Sequence, residues 1–174
     1  MNMSLPDITF RLLRPEDAPA FLALRLHAID DSPTSFSSSR EDELGRSMAV
    51  HVQRIASPLQ LGYGAFDGEG NLLGFAGLRR EQISQLSHKA TLWGVFVEPA
   101  WRGKSLARRL VAACIAHAQR EPAILQLHLS VNTENNNARQ LYESLGFKRY
   151  GTEPRSMRVG ELYYDEHHLV LLIR

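Results

Sequence analysis

Val95-Phe96-Val97-Glu98-Pro99-Ala100-Trp101-Arg102-Gly103-Lys104-Ser105-Leu106-Ala107-Arg108-Arg109-Leu110 reads as a buried strand, a short irregular connection and a helix whose first turn carries small residues and positive charge. Backbone N–H groups at a helix start lack intrahelical partners, and the helix dipole adds positive potential there. Such a segment seats an anion mainly on main chain, and Gly103, Ser105 and Ala107 let a ligand come close to that backbone. Gly103-Lys104-Ser105 also imitates the end of a nucleotide-binding P-loop. That motif requires glycine where Glu98 stands, which argues against a nucleotide triphosphatase.

Upstream of this stretch, Ile8 to Leu13 is a strand-like run, and Asp17 is the expected cap of a helix running to about Asp31, where Ser32-Pro33 stops it. Ser38-Ser39-Arg40-Glu41 has capping-box spacing, so one helix is predicted over about 39 to 56, with Leu44, Met48, Val52 and Ile55 on its apolar face. Residues 61 to 66 and 72 to 78 flank the turn-rich Asp67-Gly68-Glu69-Gly70-Asn71 and read as a β-hairpin. The central strand, Leu92 to Val97, is apolar on both faces, and Gly94 within it is a candidate bulge.

Downstream, the helix of about 104 to 119 lines up Leu106, Leu110, Cys114 and Ala118, which makes Cys114 a core residue rather than a nucleophile. Leu125, Leu127, Leu129 and Val131 alternate with polar residues in a half-buried strand. The asparagine-rich turn at 132 to 137 introduces a helix over Ala138 to Leu145, Gly146 suits a left-handed cap, and Phe147 starts another strand. A loop around Pro154 then leads to a long final strand of about 161 to 173. In that strand His167 and His168 point to opposite faces and read as surface or structural residues, while Tyr163 and Tyr164 suit either an acceptor pocket or a packed strand pair.

The 174 residues fit one domain with a substantial core. Hydrophobic residues make up 44%, charged residues 22%, and the net charge is +1, so neither a nucleic-acid nor a membrane surface is indicated. The segment Met1 to Asp7 lacks a basic region followed by an apolar core, no apolar run approaches the length that spans a bilayer, and the single cysteine fits a reducing compartment. The expected location is therefore cytoplasmic. The seven histidines lack the spacing of a metal site.

The order of strands and helices, with two local signatures, resembles the GNAT superfamily of acyl-CoA-dependent N-acetyltransferases over nearly the whole chain. The family's pyrophosphate motif, Gln/Arg-x-x-Gly-x-Gly/Ala, aligns with Arg102-Gly103-Lys104-Ser105-Leu106-Ala107, with Ser105 where glycine is usual. The pattern Asn-x-x-Ala-x-x-Leu-Tyr-x-x-x-Gly-Phe is met by Asn135, Ala138, Leu141, Tyr142, Gly146 and Phe147. The resemblance implies an α/β fold: a mixed, largely antiparallel sheet of about six to seven strands with helices on both faces. It implies acetyl-CoA as co-substrate, no metal, and transfer to a primary amine of a small molecule, protein or peptide. Val95, Phe96 and Val97 would pair with the pantetheine arm, the amides of Gly103 to Ala107 would hold the pyrophosphate, Asn135 would bind the arm from the other side, and Tyr142 would sit by the sulfur.

An amine attacks a thioester only when neutral, so such a site needs a general base or a water chain. A backbone N–H near the bulged strand would stabilise the oxyanion, and a phenol that stays protonated at neutral pH, here Tyr142, would return a proton to the departing sulfur. Glu81, His88, Glu43 and ordered water all remain candidates for the base, and Glu98 reads as a solvated surface carboxylate. A non-catalytic acyl-CoA sensor on the same fold is the alternative function. A two-fold homodimer is the general prior for any oligomer.

Overall fold

The computed structural model describes residues 7–174; the rest of the opening segment read above for an export signal lies outside them. Seven strands form one sheet: β1 (Thr9–Leu12), β2 (Gln60–Phe66), β3 (Leu72–Arg80), β4 (Lys89–Val97), β5 (Gln126–Asn132), β6 (Lys148–Val159) and β7 (Leu162–Leu172). Their order is β1-β2-β3-β4-β5-β7-β6, antiparallel throughout except where β4 and β5 run parallel. The helices are α1 (Ala18–Asp31), α2 (Arg40–Leu44), α3 (Met48–Ala56), α4 (Leu106–Arg120) and α5 (Asn136–Ser144). None is long and apolar enough to cross a membrane.

Two cores sandwich the sheet. Phe21, Leu24, Ala28 and Ile29 of α1 pack with Phe75 and Phe96 on one face, while Leu110, Val111 and Cys114 of α4 join Leu78, Leu127 and Tyr142 on the other. Cys114 is fully buried, and burial pushes its thiol up to about 12, so it stays protonated and inert.

The predicted bulge lies at Gly94, whose φ of +63° suits glycine. Pairing moves from Phe75↔Phe96 to Gly77↔Trp93, which leaves one extra residue on β4. The extra residue resets the face alternation: Leu92, Val95 and Val97 enter the α4 core, whereas Trp93 and Phe96 enter the α1 core. β4 pairs with β5 only at Lys89↔Gln126, Ala90↔Leu127 and Thr91↔His128. Beyond Thr91 the two strands part, so the later half of β4 has one main-chain edge without a strand partner.

Two expectations need correction. The helix of about 39 to 56 is broken into α2 and α3, because Gly45 ends the first and Ser47 starts the second. Its inward residues are Glu43 and His51, 0% and 2% exposed, while Leu44 and Met48 face solvent. A polar cluster holds this segment down, and of the expected stripe Ile55 packs against the α1 core. The loop around Pro154 is instead an irregularity inside β6, with the register shifting between Glu153 and Met157 and Arg155 at φ +53°.

Candidate active site

The parting of β4 from β5 opens a cleft of about 540 Å³. Val95, Phe96 and Val97 line one wall, Asn135, Ala138, Leu141 and Tyr142 line the other, and Trp101 to Gly103 with Ser105 to Ala107 close the mouth. At that mouth Gly103 has φ +75° and Ser105 has φ +61°, so two left-handed residues precede α4. The first helical amide taken up by this turn is that of Arg109, which donates to Ser105 O at 3.1 Å; the amides before it belong to the open end of the helix.

The basic side chains of this motif have structural employment. Arg102 donates from Nε to Val97 O at 3.0 Å and from Nη2 to Asp31 at 2.6 Å, bolting the end of β4 to the end of α1. Hydrogen bonds from Arg102 and Ser32 hold the Asp31 carboxyl below the usual carboxylate range. Lys104 turns away, with Nζ 4.3 Å from the centre of the Trp101 ring, and does not line the cleft. Arg108 reaches Ser144 Oγ at 2.6 Å and ties α4 to α5. Glu98, read as a solvated carboxylate, meets His27 Nδ1 at 2.8 Å.

Asn135 caps α5, its carboxamide oxygen accepting the Ala138 N–H at 3.1 Å. About two turns later Tyr142 is 8% exposed, packed edge-on against Phe147, and burial raises its phenol well above the ordinary value. The ring also borders a small cavity of about 70 Å³ that passes the bulge, lined by Gly94, Val95, Ser130, Asn135 and Glu166. Gly94, Ser130 and Glu166 in turn border a pocket of about 340 Å³ on the far side, walled by Ser35 to Ser38, Arg25, Arg54, Arg79, Thr91 and Met157. A continuous lining thus runs from the α4 mouth, past Tyr142, to a polar pocket beside α1 and α3.

The three side chains read as base candidates fare differently from Tyr142. Glu43 is sealed off: Arg25 Nε donates to it at 2.8 Å, and Arg46 and Arg54 lie at 3.3 and 3.7 Å. Burial pushes its carboxyl up, but the Arg25 hydrogen bond and the surrounding charge outweigh that and hold it below the carboxylate range. It is a buried counter-ion rather than a base. Glu81 and His88 lie at the closed end of the strand pair, where the Glu81 N–H donates to Lys89 O and His88 O accepts from Leu125. Six residues of extended chain separate His88 from Gly94, about 20 Å.

Glu166 carries no signal of its own in the sequence, because it sits among Asp165, His167 and His168 in the middle of the last strand, a run that reads as a solvated face. Its register partner is Asn132, the last paired residue of β5, which brings it to the cavity; Ser156 Oγ donates to its Oε2 at 2.5 Å. Ser130 Oγ, on the same lining, is 2.9 Å from His168 Nδ1, and His168 Nε2 is 2.9 Å from Glu153. The available signal was the phase of β7, which puts Glu166 and His168 on one face. Tyr163 is 55% exposed beside Arg155 and Arg158.

The sequence model of the acetyltransferase (GNAT) family matches residues 24–147. A mycothiol acetyltransferase from Nocardiopsis dassonvillei is 30% identical over 158 residues, covering 85% of this chain and 46% of its own length. The N-alpha-acetyltransferase RimI of Mycobacterium tuberculosis is 33% identical over 112 residues, 64% of this chain and 66% of its own. The chain spans about half the length of the mycothiol acetyltransferases it matches. A solved spermidine N-acetyltransferase from Vibrio cholerae, in complex with CoA and spermine, shares the fold at a TM-score of 0.77 and 21% identity, covering 95% of each chain.

Proposed function

Because the chain belongs to the GNAT acetyltransferase family, we propose that it moves an acetyl group from acetyl-CoA to a primary amine by direct attack in a ternary complex. The observation that carries this reading is the parted β4–β5 pair, with Gly94 at the apex and Tyr142 between the two clefts. The unpaired edge of Val95, Phe96 and Val97 offers N–H and C=O groups to an amide-bearing arm, as a further strand would. The open amides between Gly103 and Ala107 receive the pyrophosphate, with Arg102 fixing the strand end against α1, and Asn135 faces the arm from α5.

Tyr142 is the general acid. Its raised phenol remains protonated across the working range, so it can return a proton to the departing thiolate. A main-chain N–H at the bulge stabilises the oxyanion that attack creates. The proton leaving the amine passes to Glu166, directly or through a water at Ser130, since both line the amine side of the cavity. The named relatives differ in acceptor, so none of their substrates is carried over. The acceptor is an amine of a small molecule, protein or peptide.

Release of free thiol from acetyl-CoA across an amine panel tests the reading. Tyr142→Phe is expected to lower kcat by about 10²–10⁴-fold with little change in the KM for acetyl-CoA. The wild-type rate should not fall as pH passes the ordinary phenol value of about 10. Tight acetyl-CoA binding with no turnover on any amine, and no effect of Tyr142→Phe, would establish the sensor instead.

A further inference from the structure

The far pocket holds more positive charge than its own residues neutralise. Glu43 supplies one carboxylate to Arg25, Arg46 and Arg54 together, at 2.8, 3.3 and 3.7 Å. Arg79 stands close enough to add its charge to theirs. Burial, and then the repulsion of Arg25, Arg46 and Arg79 against the pull of Glu43, loosens the Arg54 proton. Arg25 is 5% exposed, with its guanidinium over Phe36 and Trp93 at 5.7 and 5.6 Å. Its Nε is spent on Glu43 and its Nη2 on Ser38 at 3.3 Å, but its buried Nη1 has no hydrogen-bond partner among the described residues. A Cβ built on Gly94 would stand 3.5 Å from that Nη1, so the unpartnered donor faces the bulge. A buried guanidinium nitrogen left without an acceptor is costly unless a ligand supplies one.

The pocket is also polarised. Glu166, Ser130 and Gly94 belong both to it and to the cavity that reaches Tyr142, whereas Arg54, Gln60 and Arg79 belong to the pocket and not to that cavity. One end therefore suits an amine and the other an oxyanion, within a volume of about 340 Å³. Resting on the transferase reading above, we propose that the acceptor is a small amine carrying its own oxyanion, as a free amino acid does, received by Arg54, Arg79 and the Nη1 of Arg25. Guanidinium forks match carboxylate and phosphate geometry. A polyamine would bring further cations against these arginines, and a peptide N-terminus has an uncharged amide next to its amine.

The test measures thiol release with L-amino acids against their carboxamides, O-phosphoethanolamine against ethanolamine, and spermidine, with rates compared per unprotonated amine. At least one anion-bearing amine should exceed its neutral twin at least tenfold in kcat/KM, and the two pairs tell carboxylate from phosphate. Arg79→Glu, at an exposed position, should erase that ratio through KM while leaving the acetyl-CoA dissociation constant in place. Neutral twins used equally well, or spermidine preferred, would overturn the oxyanion assignment and leave the transferase intact. No transfer to any of these amines would overturn the anion-bearing acceptor, and peptides carrying a free N-terminus or lysine, run in the same assay, then decide the transferase reading: turnover keeps it, and acetyl-CoA binding without turnover overturns it as well.

Discussion

The two clefts that meet at Gly94 are built from different materials. Toward α4 and α5 the ligand would meet mostly backbone: the unpaired edge of Val95 to Val97 and the open helix start after the left-handed Gly103 and Ser105. Toward α1 and α3 it would meet charged side chains drawn from separate elements, with Arg25 on α1, Arg54 on α3, Arg79 on β3 and Glu166 on β7. Main-chain recognition concentrates its requirements in one short run, because backbone geometry depends on neighbouring residues. Side-chain recognition assembles distant positions, and the same charges that bind can also hold the fold together.

The second point is the easiest to break. Arg25→Leu would leave Glu43 buried without its closest partner, and a buried charge that loses its partner typically costs 3–5 kcal/mol. Arg46 and Arg54 stay within 3.3 and 3.7 Å and soften the loss, so the expected destabilisation is about 3 kcal/mol, read from denaturant midpoints at unchanged slope. A loss below about 1 kcal/mol would mean that the acceptor side is not built around this ion pair.

The donor side should respond in binding more than in folding. Gly103→Glu puts a carboxylate into the anion seat; a Cβ there meets nothing within 4 Å, so packing is undisturbed, although the φ of +75° adds strain of about 1 kcal/mol. Acetyl-CoA affinity should fall at least a hundredfold, about 2.7 kcal/mol, in titration calorimetry. If affinity holds, the pyrophosphate does not sit on this turn.

The same contrast explains what could be read in advance. The hairpin of β2 and β3, the bulge at Gly94, the Asn135 cap and the left-handed Gly146 all follow from residue types whose conformational preferences act locally. The α2–α3 segment departs from its pattern because Leu44, Met48, Val52 and Ile55 fit a helical stripe, whereas the fold buries Glu43 and His51, and the desolvation of Glu43 is offset chiefly by Arg25, 18 residues away on another helix. Glu166 is equally invisible: a carboxylate on one face of a half-exposed strand is ordinary until β5 parts from β4 and opens a cavity beside it. Pro154 looked like a loop because proline breaks ladders, yet at the outer edge of the sheet a bulge in β6 accommodates it.

Ser105 draws the comparison at its finest scale. It occupies a position where the family usually has glycine, and the backbone does adopt the conformation that glycine favours, φ +61°. An L-residue held there bears strain of about 1–2 kcal/mol, while glycine would add unfolded-state freedom of about 0.5–1 kcal/mol. Ser105→Gly should therefore stabilise the fold by about 0.5–1 kcal/mol in thermal or chemical unfolding. If the hydroxyl also donates to the pyrophosphate, the same change should weaken acetyl-CoA binding by less than about tenfold, since the backbone amides that carry the seat remain. Ser105→Ala separates the two effects, losing the hydroxyl while keeping the strain. A Ser105→Gly protein that is less stable than the parent would mean that the turn is held by the serine side chain rather than endured by it.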